Sequence, residues 1–201
     1  CCGRTYLAVG MMGEAQRQAD RLLSALAPLA DAGIDIVGLE PSCLFTLKDE
    51  IPAMRLGADA DVVAPRAMMI ETFLEREAKA GKLASLTARL KPATAPIMVH
   101  GHCHHIAFGE ITPTLAVLGL IPDAKPSLIE SSCCGMAGAF GYEAKHFDVS
   151  MQMAELSLLP AIRKAPDAII VADGTSCRHQ IHDGAAREAK HAIRVLAEHL
   201  Q

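Results

Sequence analysis

Nowhere in this chain do more than two Lys or Arg residues stand together, and its formal net charge is −4. The basic footprint of a nucleic-acid binder is therefore missing, and nucleic acid is excluded as a partner. A run of about 20 apolar residues, the length needed to span a bilayer, is also lacking. The first residues show no charged start followed by an apolar core, so no secretory signal is read there. The expectation is a cytoplasmic chain with no transmembrane segment, with a peripheral place at the inner membrane left open. General acid–base machinery is absent too. Glu143, Asp148 and Asp173 are acidic, but no paired carboxylate or nucleophile arrangement accompanies them.

What the chain does have is cysteine. Seven occur among 201 residues whose apolar fraction of 51% is ample for one sizeable core or two small ones. An odd count leaves one thiol over in any all-disulfide scheme, and the size is wrong for a small secreted disulfide scaffold. Metal-bound or redox-active thiols in a reducing compartment are the better reading.

The cysteines recur in a pattern. "CCGR" opens the chain and is followed by a helical stretch and then "GIDIVGLEPSCLF"; "CCGM" at 133–136 is followed by a helical stretch and then "DAIIVADGTSCRH". Cys2 precedes Cys43 by 41 positions and Cys134 precedes Cys177 by 43. Such self-similarity marks one supersecondary unit written twice. Cys103, in "VHGHCHHIAFG", lies 30 positions before Cys133, whereas any counterpart for the first copy falls before Cys1. Since the first residue is Cys1 rather than a methionine, the chain is read as a piece of something longer. Its domains are then 1–92, a first repeat truncated at its N-terminus, and 93–201, a complete second repeat, with a linker at 81–95.

Short Ile/Val-rich runs alternate with amphipathic stretches, which predicts an α/β fold: two repeated, Rossmann-like parallel-sheet βα units. Strands are expected at 34–39, 61–64, 96–100, 127–130 and 168–172. Helices are expected at 13–27, 68–80, 109–119, 143–159 and 184–200, the first on the shared face of Ala15, Ala19, Leu22, Leu23 and Leu26. On this map Cys43, Cys103, the Cys133–Cys134 pair and Cys177 all sit just past the carboxyl end of a strand. That edge of an open parallel sheet is where ligands bind.

Four thiolates, Cys103, Cys133, Cys134 and Cys177, meet the ligand count of an iron–sulfur cluster or a structural zinc site. Adjacent side chains of an extended segment point to opposite sides, so the pair faces one centre only if the backbone turns sharply, as Gly135 allows. Adjacent ligands suit a centre of several metal atoms better than a single zinc. Cys1, Cys2 and Cys43 are the corresponding candidates of the first copy. Buried structural thiols are the plainer alternative for any one of them. In "HGHCHH", one of His100, His102, His104 and His105 is a possible ligand or a group hydrogen-bonded to the sulfurs, with His104 expected closest. Arg178 and His179 follow Cys177 and would place positive charge beside a thiolate, or form an ordinary solvated helix start together with His182. Met11, Met12, Met151 and Met153 are read as core filler.

The combination "HCHH", "ESSCCGMAGAFGYE" and "GTSCRHQIHDG", with "CCGR" and "EPSC", resembles the CCG-type cysteine-rich domain. That family includes iron–sulfur subunits of glycolate oxidase, anaerobic glycerol-3-phosphate dehydrogenase and heterodisulfide reductase. The nearest likeness is to the C-terminal region of FAD-linked D-2-hydroxyacid dehydrogenases acting on D-lactate or D-2-hydroxyglutarate. The resemblance implies electron transfer. A flavin domain or subunit takes the hydride, a ferredoxin-like segment relays electrons, and the cysteine-rich domain, carrying an iron–sulfur cluster such as 4Fe-4S, passes them toward a quinone or other acceptor. "SCLF" and "SCRH" carry one cysteine each where heterodisulfide reductase has two. No flavin-binding stretch or C-x2-C-x2-C run is present, so the chain alone is not expected to oxidise a substrate. Two rivals remain: a zinc-stabilised interaction module closed by three cysteines and His104, and a thiol–disulfide switch.

Overall fold

Residues 15, 19, 23, 27 and 30 are buried along one helix, α2 (Met12–Asp31), which follows a short α1 (Arg4–Ala8). Their spacing of three to four is the helical period, and this apolar stripe organises the first of two packed units. The structure is a computed structural model describing residues 1–201, and it divides into Cys1–Ile70 and Glu71–Gln201. In the first unit β1 (Ile36–Gly38) leads into α3 (Pro41–Lys48), α4 (Glu50–Ala53) and α5 (Ala58–Val63), and β2 (Ala67–Met69) pairs parallel with β1. Ala19, Leu23 and Ala27 pack with Leu44, Phe45, Ile51, Val63 and Met69 in one apolar cluster. Phe45 is fully buried, so Phe45→Ala is expected to destabilise this unit by about 3–5 kcal/mol in denaturant unfolding.

The second unit opens within α6 (Ile70–Lys79), continues through α7 (Ala84–Thr87) and then builds a four-stranded parallel sheet in the order β4-β3-β5-β6. The strands are β3 (Ile97–His100), β4 (Ser127–Leu128), β5 (Ile169–Ala172) and β6 (Ala189–Lys190). Helices α8 (Cys103–Ala107) and α9 (Ile111–Leu118) lie between β3 and β4 in sequence. Helices α10 (Phe147–Glu155) and α11 (Leu158–Arg163) lie between β4 and β5, α12 (Thr175–Ala185) follows β5, and α13 (Ala192–Glu198) follows β6. β5 reads Ile-Ile-Val-Ala because a central parallel strand is covered on both faces. Ile170 and Ala172 pack with Leu158, Ile162 and Ile181; Val171 packs on the opposite side with Val99, Val117 and Val195. From β3 the chain goes to β4 on one side and then to β5 on the other, so the strand order reverses beside β3. The crevice at such a point is the ligand edge of an open α/β sheet.

The α/β class and parallel pairing agree with the pattern read from the sequence, and several boundaries do not. Residues 61–64, expected as a strand, belong to α5 and the turn of 3-10 helix after it. The apolar run there is too short to set a period, while Asp59 and Asp61 in the first turn and burial of Ala60 and Val63 fit a helix. The expected helix 143–159 breaks at Ser157, where Pro160 cannot donate the hydrogen bond that would continue it. The expected helix 184–200 is interrupted by β6, because Ala186 turns left-handed at φ 50° and ends α12. Residues 81–95 are no loose linker either: Leu86, Leu90 and Ala93 pack in the cluster around Val171. Packing therefore divides the chain after Ile70, whereas the repeated cysteine pattern divides it near residue 92.

Candidate thiol centre

Cys103 begins α8 just beyond β3, Cys133 and Cys134 follow β4, and Cys177 lies in the first turn of α12 just beyond β5. Three loops thus deliver four thiols to one sheet edge. The sulfurs of Cys134 and Cys177 are 3.3 Å apart and the thiols of Cys103 and Cys134 hydrogen-bond to Cys133. None of the seven cysteines is in a disulfide. Cys134 and Cys177 are buried within the same apolar cluster as Ile170 and Ile181, so this part of the centre is shielded from water.

The turn after the pair explains how both side chains reach one place. Gly135 has φ +92°, Ala137 +40° and Gly138 +69°, a run of left-handed backbone that curls the loop around the sulfurs. The Gly135 amide donates to Cys133 Sγ at 3.3 Å, the Ala137 amide also donates to Cys133, and the Met136 amide donates to Cys134. Successive amides converging in this way form an anion-binding concavity of the kind used for phosphate and iron–sulfur groups. Glycine is required at 135 because a Cβ there would overlap the Ser150 carbonyl of α10. Gly174 is required for closeness of another kind: a Cβ would overlap the His102 ring and stand 3.2 Å from Cys177 Sγ.

Thiol acidity alternates along the four sulfurs. Hydrogen bonds from Cys103 and Cys134 hold Cys133 well below the ordinary thiol pKa, and the Gly135 and Ala137 amides add to this. The hydrogen bond from Cys134 likewise lowers Cys177 against its burial, with His100 and His102 assisting. Cys103 and Cys134 are pushed up, because as donors they would lose those bonds on ionising. Thiolate, rather than thiol, is the ligand and nucleophile form.

Among the histidines, the structure gathers His100 with this centre: its ligand nitrogen and the sulfurs of Cys134 and Cys177 all lie within 4.8 Å of one another. His104, expected to approach closest, donates its backbone N–H to His102 Nδ1 at 3.2 Å, and its ring lies edge-on to the His102 ring. The signal for His100 was its place as the last residue of β3, in register with buried Ala172. Its Nδ1 shares a 2.9 Å hydrogen bond with the Ser131 hydroxyl. Arg178 donates to the Ala172 and Asp173 carbonyls and the Thr175 hydroxyl, bracing the loop before Cys177. His179 Nδ1 pairs with the Tyr142 hydroxyl at 2.7 Å.

The first unit contains a turn built alike. Gly3 has φ +84°, its amide faces Cys1 Sγ at 3.4 Å, and a Cβ on it would press on the Ala15 carbonyl of α2. The Cys43 thiol hydrogen-bonds to Cys2 and lowers the Cys2 pKa to about 6, while Cys43 itself is pushed up. Three sulfurs, those of Cys1, Cys2 and Cys43, are thus supplied by this unit.

A parallel sheet whose carboxyl edge carries four clustered thiols on a left-handed glycine turn defines a cysteine-rich α/β domain. Residues 98–182 match the family model of the CCG cysteine-rich domain. The whole chain is 28% identical over 201 residues to one of the subunits of the anaerobic glycerol-3-phosphate dehydrogenase of Escherichia coli K12, covering 100% of this chain and 49% of that protein. It is 27% identical over 203 residues to the D-2-hydroxyglutarate dehydrogenase of Pantoea ananatis, covering 98% of this chain and 18% of that protein. The corresponding enzyme of Pseudomonas putida is 26% identical over 205 residues, with 99% and 18% covered. The chain thus spans about half the length of the first relative and under a fifth of the other two. No solved structure gives a significant match.

Proposed function

We propose that this chain is the iron–sulfur electron-transfer part of a larger flavin-linked dehydrogenase acting on a 2-hydroxy acid or a similar small alcohol. The observation that carries the reading is the gathering of four thiols and three inward-facing amides at the point where the sheet order reverses. The donor set fits the group: soft sulfur ligands bind iron–sulfur clusters, and amide donors to the sulfurs stabilise their negative charge. Cys103, Cys133, Cys134 and Cys177 would hold the cluster, most simply of the 4Fe-4S type. It would supply a one-electron change of valence without making or breaking bonds to substrate.

The chain's own residues then set the conditions. The four cysteines anchor; the Gly135, Met136 and Ala137 amides and His100 favour the anionic sulfurs; the apolar cluster around Cys134 and Cys177 excludes water. Burial and hydrogen bonds to sulfur are the levers that tune a cluster's potential. Electrons would come one at a time from a reduced FAD in a partner domain or subunit, by way of a ferredoxin-like segment, and leave to a quinone or other acceptor. The names of the relatives support a dehydrogenase setting. Cys1, Cys2 and Cys43 are proposed as ligands of a second centre in the repeated first domain, residues 1–92, with 93–201 as the second. No helix is long and apolar enough to cross a membrane, and we place the protein in the cytoplasm or at the inner face of the membrane.

Reductive titration of the iron-loaded chain under argon tests electron transfer. Visible absorbance is expected to bleach with dithionite and to return on adding a quinone. A loaded chain that neither accepts electrons nor returns them contradicts the reading.

A further inference from the structure

Outside the thiol cluster, the second unit buries another set of groups able to bind a metal. Glu71 stands at the start of α6, Asp173 directly follows β5, and His191 caps α13; one ligand atom from each lies within 4.8 Å of the others. Glu71 is 1% exposed and Asp173 2%, and the His191 side chain is 12% exposed. His191 Nδ1 is 3.6 Å from Glu71 Oε1 and 3.5 Å from Asp173 Oδ1. Asp173 accepts hydrogen bonds from the Ala192 amide at 2.9 Å and the Thr114 hydroxyl at 3.5 Å, and His105 Nδ1 lies 3.7 Å from its Oδ2. Neither oxygen of Glu71 has a hydrogen-bond partner in another residue.

Two carboxylates facing each other without water are costly unless positive charge joins them. Burial, with repulsion from Asp173, pushes the Glu71 carboxyl up to about 9. We propose that Glu71, Asp173 and His191 form a site for a divalent first-row cation, bound by oxygen and nitrogen and distinct from the sulfur centre. A tetrahedral cation about 2.0–2.2 Å from each donor needs donors about 3.3–3.6 Å apart, which the 3.5 and 3.6 Å separations from His191 already meet. On binding, the cation takes the place of the Ile193 N–H that His191 Nδ1 now accepts at 3.2 Å. Carboxylate and imidazole select harder ions than thiolates do, so the two sites sort metals by donor type. Asp173, in the loop after β5, lies four residues before Cys177 in the first turn of α12, and the cation would tie that loop to α6 and α13.

Mn2+ is the probe, because carboxylates suit it and thiolates do not. The full chain is titrated with Mn2+ alone, free ion being read by EPR, as wild type, Cys133→Ser, Glu71→Gln and His191→Gln. Far-UV circular dichroism in chelator verifies the fold of each. One Mn2+ per chain is expected in wild type and Cys133→Ser, with affinity reduced about tenfold or more in Glu71→Gln and His191→Gln. Mn2+ is also expected to raise the Tm of wild type and not that of Glu71→Gln. No binding by wild type at millimolar Mn2+, binding unchanged in both Glu71→Gln and His191→Gln, or binding lost in Cys133→Ser overturns the proposal.

Discussion

Cys134→Ser is expected to abolish iron and sulfide uptake by the second unit while leaving its helices and strands in place. Cys134 occupies the middle of the sulfur chain: its S–H donates to Cys177 Sγ at 3.3 Å, it also interacts with the Cys133 thiol, and it is 2% exposed. Serine has nearly the same shape, so the core around Leu158 and Ile170 should stay packed. Its oxygen is harder and is not ionised near neutral pH, so the replacement removes a soft anionic ligand. The buried hydroxyl costs about 1–3 kcal/mol if its hydrogen bonds are imperfect, which is within what a domain of this size tolerates. The measurement is iron and acid-labile sulfide per chain after anaerobic reconstitution, with circular dichroism as the check on folding. A folded Cys134→Ser protein that fills as wild type does removes Cys134 from the ligand set.

The second large effect is expected at Gly135. An alanine there meets two penalties together. Left-handed backbone costs an L residue about 1–2 kcal/mol, and the new methyl overlaps the Ser150 carbonyl, forcing the cysteine turn away from α10. Gln180 cannot yield easily, since its Nε2 bonds both the Ser150 carbonyl at 3.1 Å and the Ser150 hydroxyl at 3.0 Å. Gly135→Ala is therefore expected to destabilise the second unit by about 3–5 kcal/mol, at the upper end for single substitutions. Gly138→Ala is the comparison, because Gly138 has φ +69° and nothing within 4 Å of its added Cβ. It should cost only the backbone share, about 1–2 kcal/mol. Urea unfolding of both variants decides; equal losses would show that the contact with α10 is not what makes glycine necessary.

Most of this centre was legible in the sequence because its logic is local. Each cysteine follows an apolar run, and a run of Ile and Val bounded by turn residues reveals a buried parallel strand without any tertiary information. The glycine turn after Cys133–Cys134 was legible for the same reason: two adjacent ligands need a backbone reversal. What stayed hidden depends on packing between distant segments. β6 is two residues long and exists only because β5 lies beside it, so no periodicity announces it. The choice of His100 over His104 was only partly legible: the expected strand 96–100 ends at His100, but its pairing beside Ala172 is a tertiary fact. The convergence of Glu71, Asp173 and His191 joins Glu71 to two residues more than 100 positions further on, and each alone reads as an ordinary acid or helix cap.

The central claim is that the sulfurs at the β3–β5 edge hold an iron–sulfur cluster. Its most direct measurement is the iron, inorganic sulfide and zinc content of the chain purified and reconstituted without oxygen, with EPR after reduction. Iron and sulfide in equal amounts, at about four of each per filled centre, with a paramagnetic reduced state are the predicted result. Stoichiometric zinc without sulfide, or a metal-free chain whose reactive thiols fall by two on mild oxidation, would contradict it.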